Sequence, residues 1–545
     1  MTDYDAIIIG SGAGGLSAAV PLAQAGLKVL VCEQHEVPGG WTHSFTLQGY
    51  KFSPGVHYIG DIQPGGSLRS IYQGLGVSKD LSFVELNPDG YDHIFIGDQR
   101  FDFPKGRENL LNYLKDRFPA EAKGLDGYFD AVDMLTGGLR SLSRVSGVKD
   151  AINGAGTASG LLRWARATGQ ELIEQFVSDP VLKGVLGGQA GDNGLPPLQV
   201  SAFFQAGITH HYFEGGYYPL GGAHALPRAF TRALKDAGGE LRLSTSVDEI
   251  LIEDGRAIGV RLADGTEARS RYVISNADPE VTFGKLVGRN HLSPKLRRKL
   301  DGVTYSVSCL SLFFATDMDL RRDGGLDSGN FWYYDNEDVD GLYALGLTDH
   351  VLKAEAPPMQ FLTVTTLKDP SKMHSGHHTG ESFAFVGYDA FEKWAHTKYG
   401  ERPADYAAMK EDLAWRMVKG LDKRVPGLSK HIVFWDLATP LTNVHYLNAT
   451  RGNLYGISKT PRQIGPFAFP VKTEIDGLYM VGASTTSHGV GGVTRSGLEC
   501  AKQILGVSTD ELLNQNGPEI EIYPSEDISQ WPEHLQKKIA KGGSA

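Results

Sequence analysis

The residues best placed for chemistry in this sequence are closely spaced glycines near its start, with a carboxylate after the next apolar run. They are Gly10, Gly12, Gly14 and Gly15, and then Glu33. The first glycine permits a tight turn, the second lets the main chain approach a diphosphate, and the last lets a helix pack closely on a strand. Glu33 could accept hydrogen bonds from a ribose hydroxyl and would repel a 2′-phosphate. The pattern predicts a dinucleotide site, although a glycine loop alone also fits an ordinary turn.

Histidine and tyrosine side chains in three other segments could donate a proton to a substrate carbon once a hydride has been added to the neighbouring carbon. The predicted catalytic residues are His57, Tyr58, His211, Tyr218 and His488. Each has a structural alternative, which is a hydrogen-bonded pair for His57 and Tyr58 and a backbone contact within a loop for His488. His211 and Tyr218 flank a glycine-rich stretch, and the sequence does not separate a site role from a packing role there.

The elements that must position the glycine loop can be read from the runs beside it. Residues 5–9 predict a strand, 16–25 a helix and 28–32 a second strand. The helix start would turn unpaired N–H groups toward the phosphates. Because the strand, loop, helix and carboxylate are in register, dinucleotide binding is favoured over a plain turn.

Three later segments favour a flavin over a nicotinamide, a choice that the loop itself does not make. The double glycine 39–40 lets backbone pass close to an extended cofactor. Residues 247–275 predict a β-meander and 477–484 a buried strand, although any antiparallel hairpin pair would resemble the meander. A helix predicted from 493 or 494 to 505 could turn its positive end toward the flavin edge where charge accumulates on reduction.

Length and composition limit the class of protein. A chain of 545 residues predicts at least two domains, and its 3 widely spaced cysteines are typical of a reducing compartment. The formal net charge of -11 and the lack of a long basic block argue against nucleic acid as a partner. No run approaches the roughly 18 apolar residues of a membrane span, so a cytoplasmic protein is predicted, with peripheral membrane contact left open.

Several motifs are spread over most of the chain. They are the glycine loop with 39–40, then 55–60 (GVHYIG), 215–222 (GGYYPLGG), 275–278 (SNAD), 438–440 (ATP) and 482–497. With these motifs the chain resembles the phytoene desaturase, carotenoid isomerase and retinol saturase group of FAD-dependent amine oxidases, and 55–60 and 215–222 are most similar to the retinol saturase branch. The resemblance implies saturation, desaturation or cis-trans isomerisation of a retinoid or carotenoid, with hydride transfer at flavin N5.

The resemblance also implies contacts for single residues. Val247 would meet the adenine through its backbone, and Val493 and Thr494 would approach the isoalloxazine. Trp41 stands where many relatives carry arginine, which puts an arginine contact to the phosphates in doubt. With the glycine loop and Glu33, the predicted cofactor-binding residues are Gln34, Gly39, Gly40, Trp41, Thr42, Val247, Gly482, Ala483, Val493 and Thr494.

The predicted fold class is α/β, a Rossmann-type FAD-binding domain with an inserted β-meander, interleaved with an α+β substrate domain. The FAD domain is expected at 1–75, 210–300 and 460–506, the substrate domain at 76–209 and 301–459, and a polar tail at 507–545. Within the substrate domain, helices are predicted at 108–117 and 161–177 and strands at 310–315 and 383–387. Leu161, Leu162, Trp164 and Ala165 also resemble an amphipathic surface that could dip into lipid, although packing between domains is the favoured interpretation.

Other functions stay open at this point. An amine oxidase is the alternative enzyme, and a lipid-binding carrier like the Rab GDP-dissociation inhibitors, which has no use for flavin, is the alternative of another class. The histidines His374, His377 and His378 lack flanking carboxylates, so a solvated loop is predicted there and no metal site. No second glycine motif opens a helix after a strand, so no NADPH domain is predicted and the electron donor is unknown.

Overall fold

Two large sheets and the helices around them make up the chain. The computed structural model describes residues 2–143 and 160–542. The strands are β1 Tyr4–Ile9, β2 Val29–Cys32, β3 Phe45–Leu47, β4 Tyr50–Phe52, β5 Ser82–Glu85, β6 Asp92–Ile96, β7 Gln99–Phe103, β8 Tyr217–Pro219, β9 Glu240–Arg242, β10 Val247–Glu253, β11 Arg256–Leu262, β12 Glu267–Ser275, β13 Ser308–Thr316, β14 Asn330–Tyr334, β15 Met359–Val364, β16 His378–Val386, β17 Ile432–Ala438, β18 Leu478–Met480 and β19 Glu521–Pro524.

The helices range from one turn to six turns. The α-helices are α1 Ala13–Gln24, α2 Ser67–Gly74, α3 Arg107–Arg117, α4 Ala122–Ser143, α5 Gly169–Glu174, α6 Pro180–Leu186, α7 Ala190–Asn193, α8 Ala202–His211, α9 Ala225–Asp236, α10 Pro294–Asp301, α11 Val339–Gly346, α12 Thr365–Lys368, α13 Ala404–Asp422, α14 Pro440–Leu447, α15 Gly489–Leu505, α16 Thr509–Leu512 and α17 Glu533–Gly542. A π-helical segment covers Glu280–Gly288. No helix in the described ranges is both long and apolar enough to cross a bilayer.

The first sheet places several loops at one edge. Its parallel part has the order β18, β12, β1, β2, β9, and the meander β10–β11–β12 is joined to it through the long strand β12. The loops after β1, β2, β12 and β18 leave this sheet at the carboxyl ends of the strands, where open α/β sheets bind their ligands. The predicted Rossmann unit and β-meander are therefore confirmed.

The second large sheet faces the first. Its order is β17, β13, β16, β15, β14, β6, β7, and all pairs are antiparallel except β14 with β6. Every residue of β13, β14 and β15 is buried, which explains why apolar residues predominate in these strands. Strand β13 contains the predicted strand 310–315, and β16 contains the predicted strand 383–387 except for its last residue, so the mixed α+β region is also confirmed.

Two helix predictions were wrong. The single helix expected over 161–177 is interrupted, because Thr168 and Glu171 form a capping box that starts α5 at Gly169. Leu161 and Trp164 are buried in the core, so the expected lipid-facing surface reduces to Leu162, which is 72% exposed.

The last long helix begins earlier than predicted. Helix α15 starts at Gly489 and not at Val493 or Thr494. Its glycine-rich first turn has low helix propensity, which suggested a loop, but Gly491 and Gly492 are buried there, and packing overrides propensity.

The segment predicted as a polar tail packs onto the rest of the chain. Strand β19 pairs in parallel with β5, and Leu512, Ile520 and Trp531 are buried. Residues 543–545 of that segment lie outside the described residues.

Candidate active site

The backbone geometry of the glycine loop would let a ligand approach the main chain closely. Gly10 has φ +92°, which an L side chain rarely adopts. A Cβ at Gly15 would lie 2.2 Å from the Gly10 carbonyl oxygen, so this glycine is needed for the packing of α1 on β1. At Gly12 and Gly14 a Cβ would lie 2.6 and 2.7 Å from the Asn276 amide. The loop thus forms a bare main-chain surface that any side chain would fill.

Glu33 connects this loop to the double glycine. Its buried carboxylate accepts hydrogen bonds from the Ser11 N–H at 2.9 Å and the Ser11 hydroxyl at 2.6 Å. The Ser11 hydroxyl in turn accepts a hydrogen bond from the Gly39 N–H at 3.1 Å. The carboxylate therefore orders both glycine segments and also lines the cavity described next.

A single cavity extends from the glycine loop to the second sheet. Gly15 lies beneath the loop and Thr494 lies inside α15, so these two predicted residues are not part of its wall. The predicted cofactor-binding residues that line it are Gly10, Gly12, Gly14, Glu33, Gln34, Gly39, Gly40, Trp41, Thr42, Val247, Gly482, Ala483 and Val493.

The remaining wall is largely aromatic. Trp332 comes from β14, Phe361 from β15, and Phe383 and Phe385 from β16. The Trp332 and Phe361 rings are 4.5 Å apart and the Phe361 and Phe383 rings 5.6 Å apart. This part of the cavity suits a flat apolar molecule, because stacked and edge-on aromatic contacts favour such a ligand.

His57 is the only predicted catalytic residue on the cavity wall. Its ring lies 4.8 Å from the Phe383 ring, and its Nδ1 lies 3.2 Å from Oε2 of the fully buried Glu381. Burial lowers the pKa of His57, against the opposing effect of Glu381. The backbone carbonyl of His57 accepts a hydrogen bond from Lys368 Nζ at 2.6 Å. Burial also lowers the pKa of Lys368 to about 7.

Tyr58 points away from the cavity into a buried polar cluster. Its hydroxyl lies 2.9 Å from Asp92 Oδ2 and 2.6 Å from Asp192 Oδ2. Asp192 lines the cavity, whereas Asp92 is completely buried behind it. Burial raises the pKa of Asp92 to about 6 and that of Asp192 to about 8.

The other predicted catalytic residues lie behind the wall. His211 Nε2 accepts the Gly60 N–H at 2.9 Å, and the Tyr218 hydroxyl donates to the Ser53 hydroxyl at 3.1 Å. His488 donates from Nε2 to the Asp192 carbonyl oxygen at 2.8 Å, and burial lowers its pKa to about 3. A neutral, buried imidazole of this kind holds backbone in place and does not supply protons.

The sequence predicts that the three clustered histidines lie in a solvated loop. The structure shows them packed against other residues instead. They are half-buried against β4, where His377 Nδ1 is 2.7 Å from the Tyr50 hydroxyl and the His374 ring packs on Tyr50. His378 begins β16 and is 3.0 Å from the Thr366 hydroxyl. Among residues 2–143 and 160–542, no group of three or more His, Cys, Asp or Glu side chains is arranged to hold a metal ion.

Sequence reasoning missed five polar residues near the cavity. Two of them carried a usable signal, since Asp92 begins the buried end of β6 and Glu381 lies within β16, and a charge in a buried strand needs a partner. Asn276 belongs to the 275–278 motif but was not assigned to the site, and Asp192 and Lys368 carried no signal, because their partners are distant in sequence. The missed residues are Asp92, Asp192, Asn276, Lys368 and Glu381.

Comparison with known proteins places this cavity in context. The sequence model of a family described as flavin containing amine oxidoreductase matches residues 13–505. The all-trans-retinol 13,14-reductase of Danio rerio is 29% identical over 528 residues, which cover 92% of this chain and 86% of that protein. The chloroplastic prolycopene isomerase of Arabidopsis thaliana is 29% identical over 517 residues, 92% of this chain and 82% of that protein.

A solved structure shares the fold at lower identity. Cyclohexylamine oxidase from Brevibacterium oxydans superposes with a TM-score of 0.55 and 18% identity, over 92% of this chain and 100% of that chain. This likeness extends over both sheets.

Proposed function

The chain belongs to the family of flavin-containing amine oxidoreductases, and from this premise we propose that it is an FAD-dependent enzyme acting on carbon–carbon double bonds of an apolar polyene. The relatives named for retinol and prolycopene support a retinoid or carotenoid as the substrate class. The proposal covers reduction, desaturation and isomerisation, which differ in their net electron flow.

The glycine cradle fits the cofactor of this family. We propose that the loop from Gly10 to Gly15 receives the diphosphate, that Glu33 binds the ribose and that the backbone of Val247 meets the adenine. Gly482, Ala483 and Val493 line the cavity beside the start of α15, where they would contact the isoalloxazine. When bound, FAD accepts or donates a hydride.

The aromatic wall is the observation that carries the substrate class. Trp332, Phe361, Phe383 and Phe385 form a continuous apolar surface in the same cavity as the glycine loop. A conjugated chain lying on this surface would exclude water from the reacting carbons and face them toward the cofactor. His57 would border the same space, with its ring held by Phe383 and Glu381.

The test is product analysis with chemically reduced enzyme. Under anaerobic conditions, purified yellow enzyme is expected to convert a member of a retinoid and carotenoid panel. Mass spectrometry then distinguishes two added hydrogens, two lost hydrogens and an unchanged mass. No product across the panel, together with hydrogen peroxide formed from amines in air, would instead identify an amine oxidase, and a colourless protein would indicate a carrier.

We further infer that an apolar substrate is taken up by peripheral contact with a membrane. The supporting observation is Leu162, which is 72% exposed beside the buried Trp164. Flotation with phospholipid vesicles tests it, because Leu162→Asp should weaken vesicle binding. Binding unchanged by Leu162→Asp would contradict a role for this surface.

A further inference from the structure

Three oxygen atoms form a buried chain that ends on the cavity wall. The Tyr58 hydroxyl stands between Asp92 Oδ2 at 2.9 Å and Asp192 Oδ2 at 2.6 Å. Gly191, the neighbour of Asp192, packs against Trp332 and Phe385, since a Cβ there would lie 2.2 Å from the indole. The Asp192 end of the chain is therefore next to the aromatic part of the cavity.

Counting hydrogens shows that this chain holds an extra proton. Two oxygen pairs this close each need a hydrogen between them, because bare oxygens at such distances repel. The Tyr58 hydroxyl supplies one. The second must come from a carboxyl group, so one of the two aspartates is protonated.

The surroundings identify Asp192 as the protonated partner. Asp92 already accepts the Gln189 amide at 2.7 Å, the Asn330 amide at 3.2 Å and the Trp332 N–H at 3.2 Å. The Asn330 orientation is fixed, because its oxygen accepts Lys368 Nζ at 2.7 Å. Three donors favour the anion at Asp92. The Asp192 carboxyl has no hydrogen-bond partner except Tyr58 among the described residues.

Little charge surrounds the Asp192 carboxyl. Burial raises the pKa of the nearby phenols and lowers that of His488 to about 3, so these groups are neutral. Asp92 is the remaining anion, and Lys368 is on the far side of Asp92, bonded to Asn330. The phenols are Tyr58, Tyr212, Tyr334, Tyr343 and Tyr455.

We propose that Asp192 is the general acid that protonates the substrate carbon, a role that rests on the proposed function and adds its proton source. In the reductive direction, FAD in its reduced state would, when bound, supply the hydride and its electron pair for the new C–H bond at one carbon of the double bond. The π electron pair forms the second C–H bond with the Asp192 proton, and the Asp192 O–H bond breaks. Asp192 is left as a carboxylate and regains a proton from water. Tyr58 and Asp92 are positioning residues that keep the proton on Asp192.

Infrared spectroscopy tests the protonation without any substrate. The holoenzyme at pH 7 is expected to show a carboxylic acid C=O band that shifts in D2O and disappears in Asp192→Asn. In Tyr58→Phe the band should remain but change frequency, because Asp192 loses its acceptor. Tyr128→Phe is the matched control, since Tyr128 is buried outside the cavity wall and bonds only weakly, at 3.4 Å, to Thr209. A wild-type enzyme without the band, or a band unchanged in Asp192→Asn or in Tyr58→Phe, would overturn the proposal.

Turnover tests the role in catalysis. Asp192→Asn that retains its flavin absorbance should lose about 10²- to 10⁴-fold in kcat. The wild-type rate should fall as the pH rises through about 8, because the acid must be protonated. This alkaline limb of the pH–rate profile should vanish in Asp192→Asn. In Asp92→Asn the limb should move to lower pH, because that variant removes a charge that raises the pKa of Asp192.

The two measurements separate the two proposals. An Asp192→Asn variant with wild-type turnover and an intact pH limb rejects the acid role while the polyene function stands. A wild-type enzyme that shows the band but converts no polyene rejects the proposed function, and the acid role with it, and leaves the protonated Asp192 established.

Discussion

The glycines of the amino-terminal loop leave room for two different neighbours. The Gly12 and Gly14 positions face the Asn276 amide, whereas Gly15 faces the Gly10 carbonyl oxygen. Asn276 follows β12 and lines the same cavity, so the loop and this side chain together determine how near a diphosphate could come. We therefore expect a residue-scale change here to affect cofactor binding before it affects the fold.

Gly12→Val is expected to give a folded but colourless protein. The valine side chain would occupy the space beside Asn276 and block the approach of the diphosphate. The measurement is flavin absorbance per mole of purified protein, with circular dichroism as the check on folding. Gly207→Val is the control, because a Cβ at Gly207 meets nothing within 4 Å. Full flavin content in Gly12→Val would reject the assignment of the loop.

The role of a single residue could be predicted from the sequence where its contacts are local, and could not where its contacts join distant segments. The conformational requirements of the glycine loop are local in sequence, so its residue types and the elements beside it were enough to predict a dinucleotide site. The pairing of Asp92 with Asp192 spans about 100 positions and depends on how β6 and α7 pack, which no periodicity records. Tyr58 was singled out as a proton donor, and only the structure shows that its partners are carboxyl groups.

At the scale of elements, helix α15 packs against the glycine loop and the start of α1. A Cβ at Gly497 would lie 2.4 Å from the Gly14 carbonyl oxygen and 2.8 Å from the Ala18 nitrogen, so α15 and α1 meet backbone to backbone. The helix itself was expected from the sequence, but this contact and its early start at Gly489 were not. Such contacts depend on the partner helix, which lies far away in the sequence.

Gly497→Ala should separate α1 from α15 and destabilise the protein. Overpacking of a tight contact costs about 1 to 3 kcal/mol, and the first consequence is a lower Tm. Thermal unfolding of the holoenzyme measures this. Gly207→Ala provides the comparison, since alanine in the open site on α8 should leave Tm unchanged or raise it. Equal Tm values in the two variants would show that the contact is not tight in solution.

At the scale of the whole molecule, the cavity exists only because two sheets face each other. The first contributes the loops after β1, β2, β12 and β18, and the second contributes the aromatic wall. Individual strands of both sheets were predictable from alternating or continuous apolar runs. The strand order was not, because β14 pairs with β6 across more than two hundred residues.

The protonated Asp192 should also influence global stability. An unfolded aspartate releases its proton near pH 4, whereas burial raises the pKa of Asp192 to about 8 in the folded chain. Between these values the folded state binds more protons, so the free energy of unfolding falls as the pH rises. Tm of the wild type should therefore drop more steeply from about pH 5 to 8 than Tm of Asp192→Asn. Asp98→Asn, at an exposed carboxylate, should follow the wild type, and parallel curves for all three would contradict the raised pKa.

The joining of β18 to β12 has a consequence for biosynthesis. The loop from Gly10 to Gly15 is translated more than 450 residues before Gly482 and α15, which close around it. Until then β12 lacks the neighbour that completes its edge, and the nascent chain exposes apolar surface. We therefore expect the proposed cofactor site to be complete only after β18 and α15 have been translated.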